Sequence, residues 1–185
     1  MAQSNSPDPS VLQSDLELHC HPVNRCEAVR AVRVAVKRDV ALQFQFRVTG
    51  QIAALKIPAA QCSDRTDELW RHTCAEVFLT LPNHGHYCEY NFSPSSQWAA
   101  YEFTEYREGM RAMPCDPPTI SVRVDAIELI LDVNILLPSE FDLRQIQLGA
   151  SMVIEDCNQR CCYWALQHDT DKPDFHRREN WVSLL

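Results

Sequence analysis

The residues best equipped for chemistry lie between positions 68 and 107. Glu68-Leu69-Trp70-Arg71-His72-Thr73-Cys74-Ala75-Glu76-Val77-Phe78 is followed by Tyr87-Cys88-Glu89-Tyr90-Asn91-Phe92-Ser93-Pro94-Ser95-Ser96-Gln97-Trp98-Ala99-Ala100-Tyr101 and closes with Tyr106-Arg107. Aromatic rings mix there with carboxylates and carboxamides, whereas the polar positions elsewhere are plain Gln, Arg and Asp. If the runs at 73–81 and 86–93 pair as strands, Glu76 and Phe78 share a face with Tyr87, Glu89 and Asn91. Flat rings beside fixed acceptors suit a sugar, because pyranose C–H faces lie on aromatic rings and ring hydroxyls need planar polar partners. The plainer reading makes Trp70, Trp98 and Tyr101 edge residues of a core and pairs Glu76 with Arg71 or Arg107.

Other constellations are thinner. Glu76 and Glu89 admit a glycosidase pair, one protonating the leaving oxygen and the other attacking or activating water. His72 and Cys74 fall on one strand face, but no orienting acid or oxyanion-hole sequence accompanies them. His19/His21 and His84/His86 each offer two rings on one side of a strand, half of what a closed metal site needs. The spacing of Cys157, Cys161 and Cys162 departs from the usual zinc knuckle, and Asp64, Asp67 and Glu68 read equally well as a solvated loop. The expectation is no catalytic residue, no metal and no cofactor.

What positions these residues is a period-two chain. Val32, Val34 and Val36, then Leu42, Phe44, Phe46 and Val48, read as a hairpin with one buried face. Further strands follow at 73–81, 86–93, 120–124, 127–135, 146–154 and 161–168, with a last one at 177–185. Prolines fall between these runs, and helical alternatives are confined to 63–71 and 139–144. The fold expected is all-β, a two-sheet antiparallel β-sandwich of the jelly-roll or immunoglobulin-like kind, over residues 15–185 after a flexible lead-in at 1–14.

Composition narrows the function further. The 185 residues carry 17 Lys and Arg against 25 Asp and Glu, a net charge of -8, which argues against nucleic-acid or membrane-surface partners. Four glycines leave no glycine-rich phosphate loop, and nine irregularly spaced cysteines suit reduced thiols in a cytoplasmic protein. The first ten residues have neither a basic start nor an apolar run, so no signal peptide is expected.

The stretch Trp70-Arg71-His72-Thr73-Cys74-Ala75-Glu76-Val77-Phe78, with Tyr90-Asn91-Phe92-Ser93-Pro94-Ser95, Trp98-Ala99-Ala100-Tyr101 and Lys172-Pro173-Asp174-Phe175-His176, resembles bacterial DOMON-like ligand-binding domains. These are similar in turn to family 9 carbohydrate-binding modules. The resemblance implies a β-sandwich with a concave ligand face, and sugars or haem as ligands. It points to Trp70, Arg71, Glu76, Glu89, Asn91, Trp98 and Tyr101 as ligand contacts. Trp70, Trp98 and Tyr101 then stack on the ligand, Glu76, Glu89 and Asn91 meet its hydroxyls, and Arg71 fixes the carboxylates. Ala75 and Ser96 depart from the family pattern. Met110, Met113 and Met152 do not match the axial pair of haem-binding relatives, so a small sugar-like molecule is the expected partner. A glycoside hydrolase, a haem-binding domain and a protein-interaction domain are the alternatives.

Overall fold

The computed structural model describes residues 12–38, 41–80, 86–137, 146–169 and 171–183. These form β1 (Leu12–Cys20), β2 (Val29–Arg38), β3 (Leu42–Gly50), β4 (Cys74–Thr80), β5 (Tyr87–Phe92), β6 (Trp98–Phe103), β7 (Arg111–Ala112), β8 (Thr119–Val124), β9 (Glu128–Ile135), β10 (Gln147–Glu155), β11 (Cys161–Ala165) and β12 (Val182–Ser183). Three short 3-10 turns, Ile52–Ala54, Leu69–Arg71 and Arg178–Asn180, are the helical content of the described residues. The fold is all-β and the paired strands run antiparallel, in the order β7-β6-β5-β4-β10-β11-β1-β2-β3-β9-β8, with β12 beside β10.

The hairpin periodicity explains one arm of the sheet. Val32, Val34 and Val36 stand opposite Val48, Phe46 and Phe44, which in turn face Leu129, Leu131 and Val133 across β3 and β9. All are buried, and each such side chain contributes ~1.5–3 kcal/mol on leaving water. The alternate positions stay wet enough for polar pairing: Arg47 meets Glu128, and the Gln45 amide donates to Asp132 at 2.7 Å.

The other arm is buried on both faces, which pure alternation does not announce. On the inner face Val77, Leu79, Tyr90, Phe92, Leu148 and Met152 join the valines of β2 in one core, so the sheet curls strongly, in the manner of a half-barrel. On the outer face Cys74, Phe78, Tyr87, Ala99, Tyr101 and Phe103 pack with Leu69 and Trp181 in a second cluster. Every residue of β5 is therefore buried.

Three sequence expectations are modified. Where two sheets were expected, the hydrogen bonding makes a single path, because β1 pairs with β2 over Leu12–Leu18 and then with β11 at His19 and Cys20. That strand starts at Leu12 and so takes residues 12–14 out of the expected lead-in. The last strand, expected from 177, begins only at Val182, since Arg178–Asn180 form a turn that brings Trp181 onto β10. The 139–144 segment lies outside the described residues.

Trp181 fastens the C-terminal strap to the sheet. A Cβ at Gly149 would stand 2.5 Å from its Nε1 and 2.7 Å from its Cδ1, so the indole lies where a side chain would be. Nε1 donates to the Phe175 carbonyl at 3.0 Å, and the ring stacks on Phe78 with centroids 5.6 Å apart. Gly149→Ala is expected to displace this ring and destabilise the chain by ~1–3 kcal/mol. Urea unfolding measures it, and an unchanged midpoint would mean that the strap is not seated through this contact.

Candidate functional site

The outer face of β4 and β5 carries the carboxylates. Glu76 stands opposite Asn91 on one side and Ser151 on the other, while Glu89 lies between Phe78 and Tyr101. The two are thus diagonal neighbours on one face, within side-chain reach of each other. They are 4% and 5% exposed, under the second apolar layer. That layer does not close completely. It leaves a cavity of about 410 Å³ lined by Glu76, Glu89, Phe103, Val153 and Tyr163 from the strands, and by Trp70, Arg107, Met110, Pro173, Phe175 and His176 around them. The volume falls in the ~300–1,000 Å³ range of small-molecule sites.

Two loop segments and the strap build the walls. Trp70 sits on the turn Leu69–Arg71, entered through Glu68 in left-handed backbone (φ 62°), and meets Tyr101 edge-on at 5.8 Å. The turn is held by buried Glu155, whose carboxylate takes the Lys56 ammonium at 2.8 Å and contacts His72 Nδ1 at 2.7 Å. Burial opposes ionisation of Glu155, yet the hydrogen bonds from Lys56 and His72 outweigh it and hold the carboxyl below its usual range. Arg107 also has left-handed backbone (φ 56°), on a tight turn that places its guanidinium against Asp174 at 2.9 Å. Asp174 further accepts from the Tyr106 hydroxyl and, at 3.2 Å, from the His176 amide. One strap carboxylate therefore joins the 104–109 turn to the segment bearing His176.

His176 is held between two polar groups. The Tyr87 hydroxyl accepts the Arg107 backbone N–H at 3.1 Å and lies 2.7 Å from His176 Nδ1. Nε2 of the same ring faces Glu89 Oε2 at 3.7 Å. Burial, followed by the positive charge of Arg107, pulls the imidazole down to about 4, with Asp174 acting in the opposite sense. The contact is accordingly one of a neutral ring with a carboxyl at neutral pH.

The carboxyls shift the other way. Burial pushes Glu89 up to about 7, against the Asn91 amide, which donates to its Oε1 at 2.7 Å, and against Arg107. Glu76 is pushed well above the carboxylate range by burial and then by the Glu89 charge, with the Ser151 hydroxyl 3.5 Å from its Oε2.

Of the seven sequence candidates, Glu76, Glu89 and Trp70 line the cavity. Asn91 is wholly buried behind Glu89, with Oδ1 accepting from the Cys74 thiol at 3.6 Å. Tyr101 shares the face, but its hydroxyl donates to Asp67 at 2.6 Å and it backs Trp70. Trp98 lies on the opposite face, in the main core, with the Arg65 guanidinium 4.7 Å above its ring. Arg71 is exposed and pairs with Glu68 at 2.7 Å, away from the carboxylates it was expected to fix; Arg107 lies beside them instead. Asp174, Phe175 and His176 belong to the Lys172–His176 motif of the family resemblance, while Phe103 and Tyr163 carry no distinguishing sequence signal. His84 lies outside the described residues, and among those described no group of three or more His, Cys, Asp and Glu is arranged to hold a metal. Nor is any helix there long and apolar enough to cross a membrane.

Fold and cavity together define an all-β antiparallel protein with a partly open cavity lined by acidic and aromatic residues on one sheet face. No family model matches the chain, and no curated protein matches it. Among solved structures it is similar to a "putative carbohydrate-binding protein" from Bacteroides uniformis, at 12% identity and a TM-score of 0.62, over 91% of this chain and 84% of that one. At this identity the likeness is one of fold.

The opposed shifts give a pH test. Glu89, raised from 4.5 to about 7, contributes stability that is present at low pH and lost as pH rises through that window. His176, lowered from 6.5 to about 4, contributes stability that is lost as pH falls through its own window. The two oppose each other where the windows overlap, so a difference measurement is needed. Relative to the native chain, Glu89→Gln is expected to gain stability steadily from about pH 4.5 to about 7 in urea unfolding. A difference independent of pH would show that Glu89 titrates normally.

Proposed function

We propose that the chain is a non-catalytic module that binds a small carbohydrate in the cavity over β4 and β5. The observation that carries this reading is the pairing of two buried carboxyls with aromatic walls around about 410 Å³. Trp70, Tyr163 and Phe175 present ring faces and edges to C–H groups, while Glu76 and Glu89 supply acceptors for hydroxyls. Arg107 and His176 complete the polar set, and Asn91 and Tyr101 orient Glu89 and Trp70 from behind.

Two further considerations support it. The Trp70–Phe78 and Tyr90–Ser95 motifs resemble DOMON-like domains and, through them, family 9 carbohydrate-binding modules. The description of the Bacteroides uniformis neighbour agrees with that resemblance. The scaffold in this reading is a relative of the β-sandwich, its two arms facing each other across one core. The nine cysteines, none disulfide-bonded, favour a cytoplasmic setting.

A hydrolase reading has one observation behind it, the shift of Glu89 to about 7, which suits a general acid. It predicts turnover of chromogenic glycosides that disappears in Glu76→Gln or Glu89→Gln. The binding reading predicts none.

Calorimetry and thermal shift over a panel of mono- and disaccharides test the binding. Trp70→Ala is expected to weaken any sugar that binds by about tenfold or more, the loss of one aromatic wall. Trp98→Ala, on the core face, is expected to lower stability by ~3–5 kcal/mol while the folded fraction keeps its affinity. A panel without a single binder, or a Trp70→Ala chain with native affinity, would remove the assignment.

A further inference from the structure

The charges around the cavity do not balance. Arg107 is the cation among its described lining residues, and its guanidinium is turned to Asp174, with Nη2 and Nε at 2.9 and 3.3 Å from Oδ1. His176 offers no compensation, since its Nδ1 faces the Tyr87 hydroxyl and the ring is neutral. The other titratable groups that the strands place on this face are Cys74 of β4, Tyr87 of β5, Tyr101 of β6 and Tyr163 of β11, all of types that are neutral at neutral pH; β10 adds the Ser151 hydroxyl, and from the strap the Arg178 guanidinium lies over the Tyr87 and Trp181 rings at 5.2 and 5.8 Å. The two floor carboxyls thus share with Asp174 the single positive charge of Arg107.

Their hydrogen bonding is also incomplete. A carboxylate has about four lone-pair sites. Glu89 receives the Asn91 amide at one oxygen, and its other oxygen is 3.7 Å from His176 Nε2. Glu76 has the Ser151 hydroxyl at 3.5 Å, the outer limit of a hydrogen bond. Both are more than nine-tenths buried and both line the cavity, so what remains unmet is directed into it. The walls are Trp70, Phe103, Tyr163 and Phe175, whose ring faces attract cations as well as sugar C–H groups.

We propose that the cavity selects a sugar bearing a protonated amine, with the ammonium group over Glu76 and Glu89, against neutral sugars of the same shape. This rests on the carbohydrate reading and specifies its ligand class. A neutral hydroxyl supplies one proton to the floor and no charge. An ammonium supplies three N–H donors and relieves the repulsion between adjacent carboxylates. Binding then favours the ionised form of both carboxyls, and a proton held by the pair at neutral pH passes to the buffer.

Isothermal titration of the full chain at neutral pH, with the three common 2-amino-2-deoxyhexoses, their parent hexoses and their N-acetyl derivatives, tests the proposal. At least one amino sugar is expected to bind about tenfold or more tighter than both its parent and its N-acetyl form. Repeating the titration in buffers of different ionisation enthalpy is expected to show proton release. Glu76→Gln and Glu89→Gln are expected to reduce the preference for the amine from about tenfold to about threefold or less, read as the ratio of amino-sugar to parent-hexose affinity on the same variant. The native chain alone decides the main question, so a variant that fails to fold does not weaken the test. If amino, parent and N-acetyl sugars bind alike, the proposal is overturned and the carbohydrate reading survives. Cyclohexylamine serves as an amine without a sugar; if it binds as tightly as the amino sugars, or if nothing on the panel binds, both fail.

Discussion

Glu76 and Glu89 are unusual carboxyls because the outer face of β4 and β5 is as buried as the inner one. On an antiparallel sheet with one wet face, two carboxylates at these positions would be solvated and ordinary. Here Phe78 stacks on Trp181, Tyr87 lies parallel to Phe103 with centroids 4.7 Å apart, and His176 meets all but Trp181 of these rings edge-on. Keeping an ionised carboxylate under such a layer is expensive, and the groups respond by holding their protons to higher pH. The chemistry of the site is a consequence of that covering.

The cover is fastened by two carboxylates that behave in the opposite way. Glu155 holds the turn bearing Trp70, and Asp174 holds the loop bearing Arg107 to the strap bearing His176. Each has enough donors around it to stay ionised despite burial. Acidic residues thus divide by surroundings into structural clamps at the rim and uncompensated acceptors at the floor. Aromatic packing supplies the walls between them.

Much of the fold is legible in the sequence. The valine and phenylalanine alternation at 32–48 gives the β2–β3 hairpin in register, and the pairing of β4 with β5 puts Glu76, Glu89 and Asn91 together. Trp98 is instructive because parity alone would have placed it. It is three residues from Tyr101 on one strand, an odd separation, so the two must face opposite sides. Arg71, to which the family resemblance points, lies on a turn and pairs outward with Glu68, while Arg107, the other partner the sequence offers Glu76, arrives from a distant loop through a backbone conformation no local pattern announces. Tyr163 and Phe175 enter the site only through the curl of the sheet and the docking of the strap. Tertiary contacts of that kind leave no periodic trace.

The distinction between a wet face and a covered one does leave a trace, though not in the spacing of apolar residues. The polar positions of β2 and β3 are Arg33, Lys37, Gln43 and Arg47, long side chains that reach water, and they are partly or fully exposed. At the equivalent positions of β4, β5 and β6 the chain has Cys74, Glu76, Phe78, Tyr87, Glu89, Asn91, Tyr101 and Phe103. Carboxyls and amides set among rings under a covering layer are cut off from solvent, so their polar atoms need partners within that layer. Asn91 meets Glu89 and Cys74, which accounts for its own groups. Glu76 and Glu89 retain acceptor capacity that the protein does not use, and a cavity opens where that capacity points. Under the proposed function, a bound ligand takes up that capacity without unpacking the rings above it.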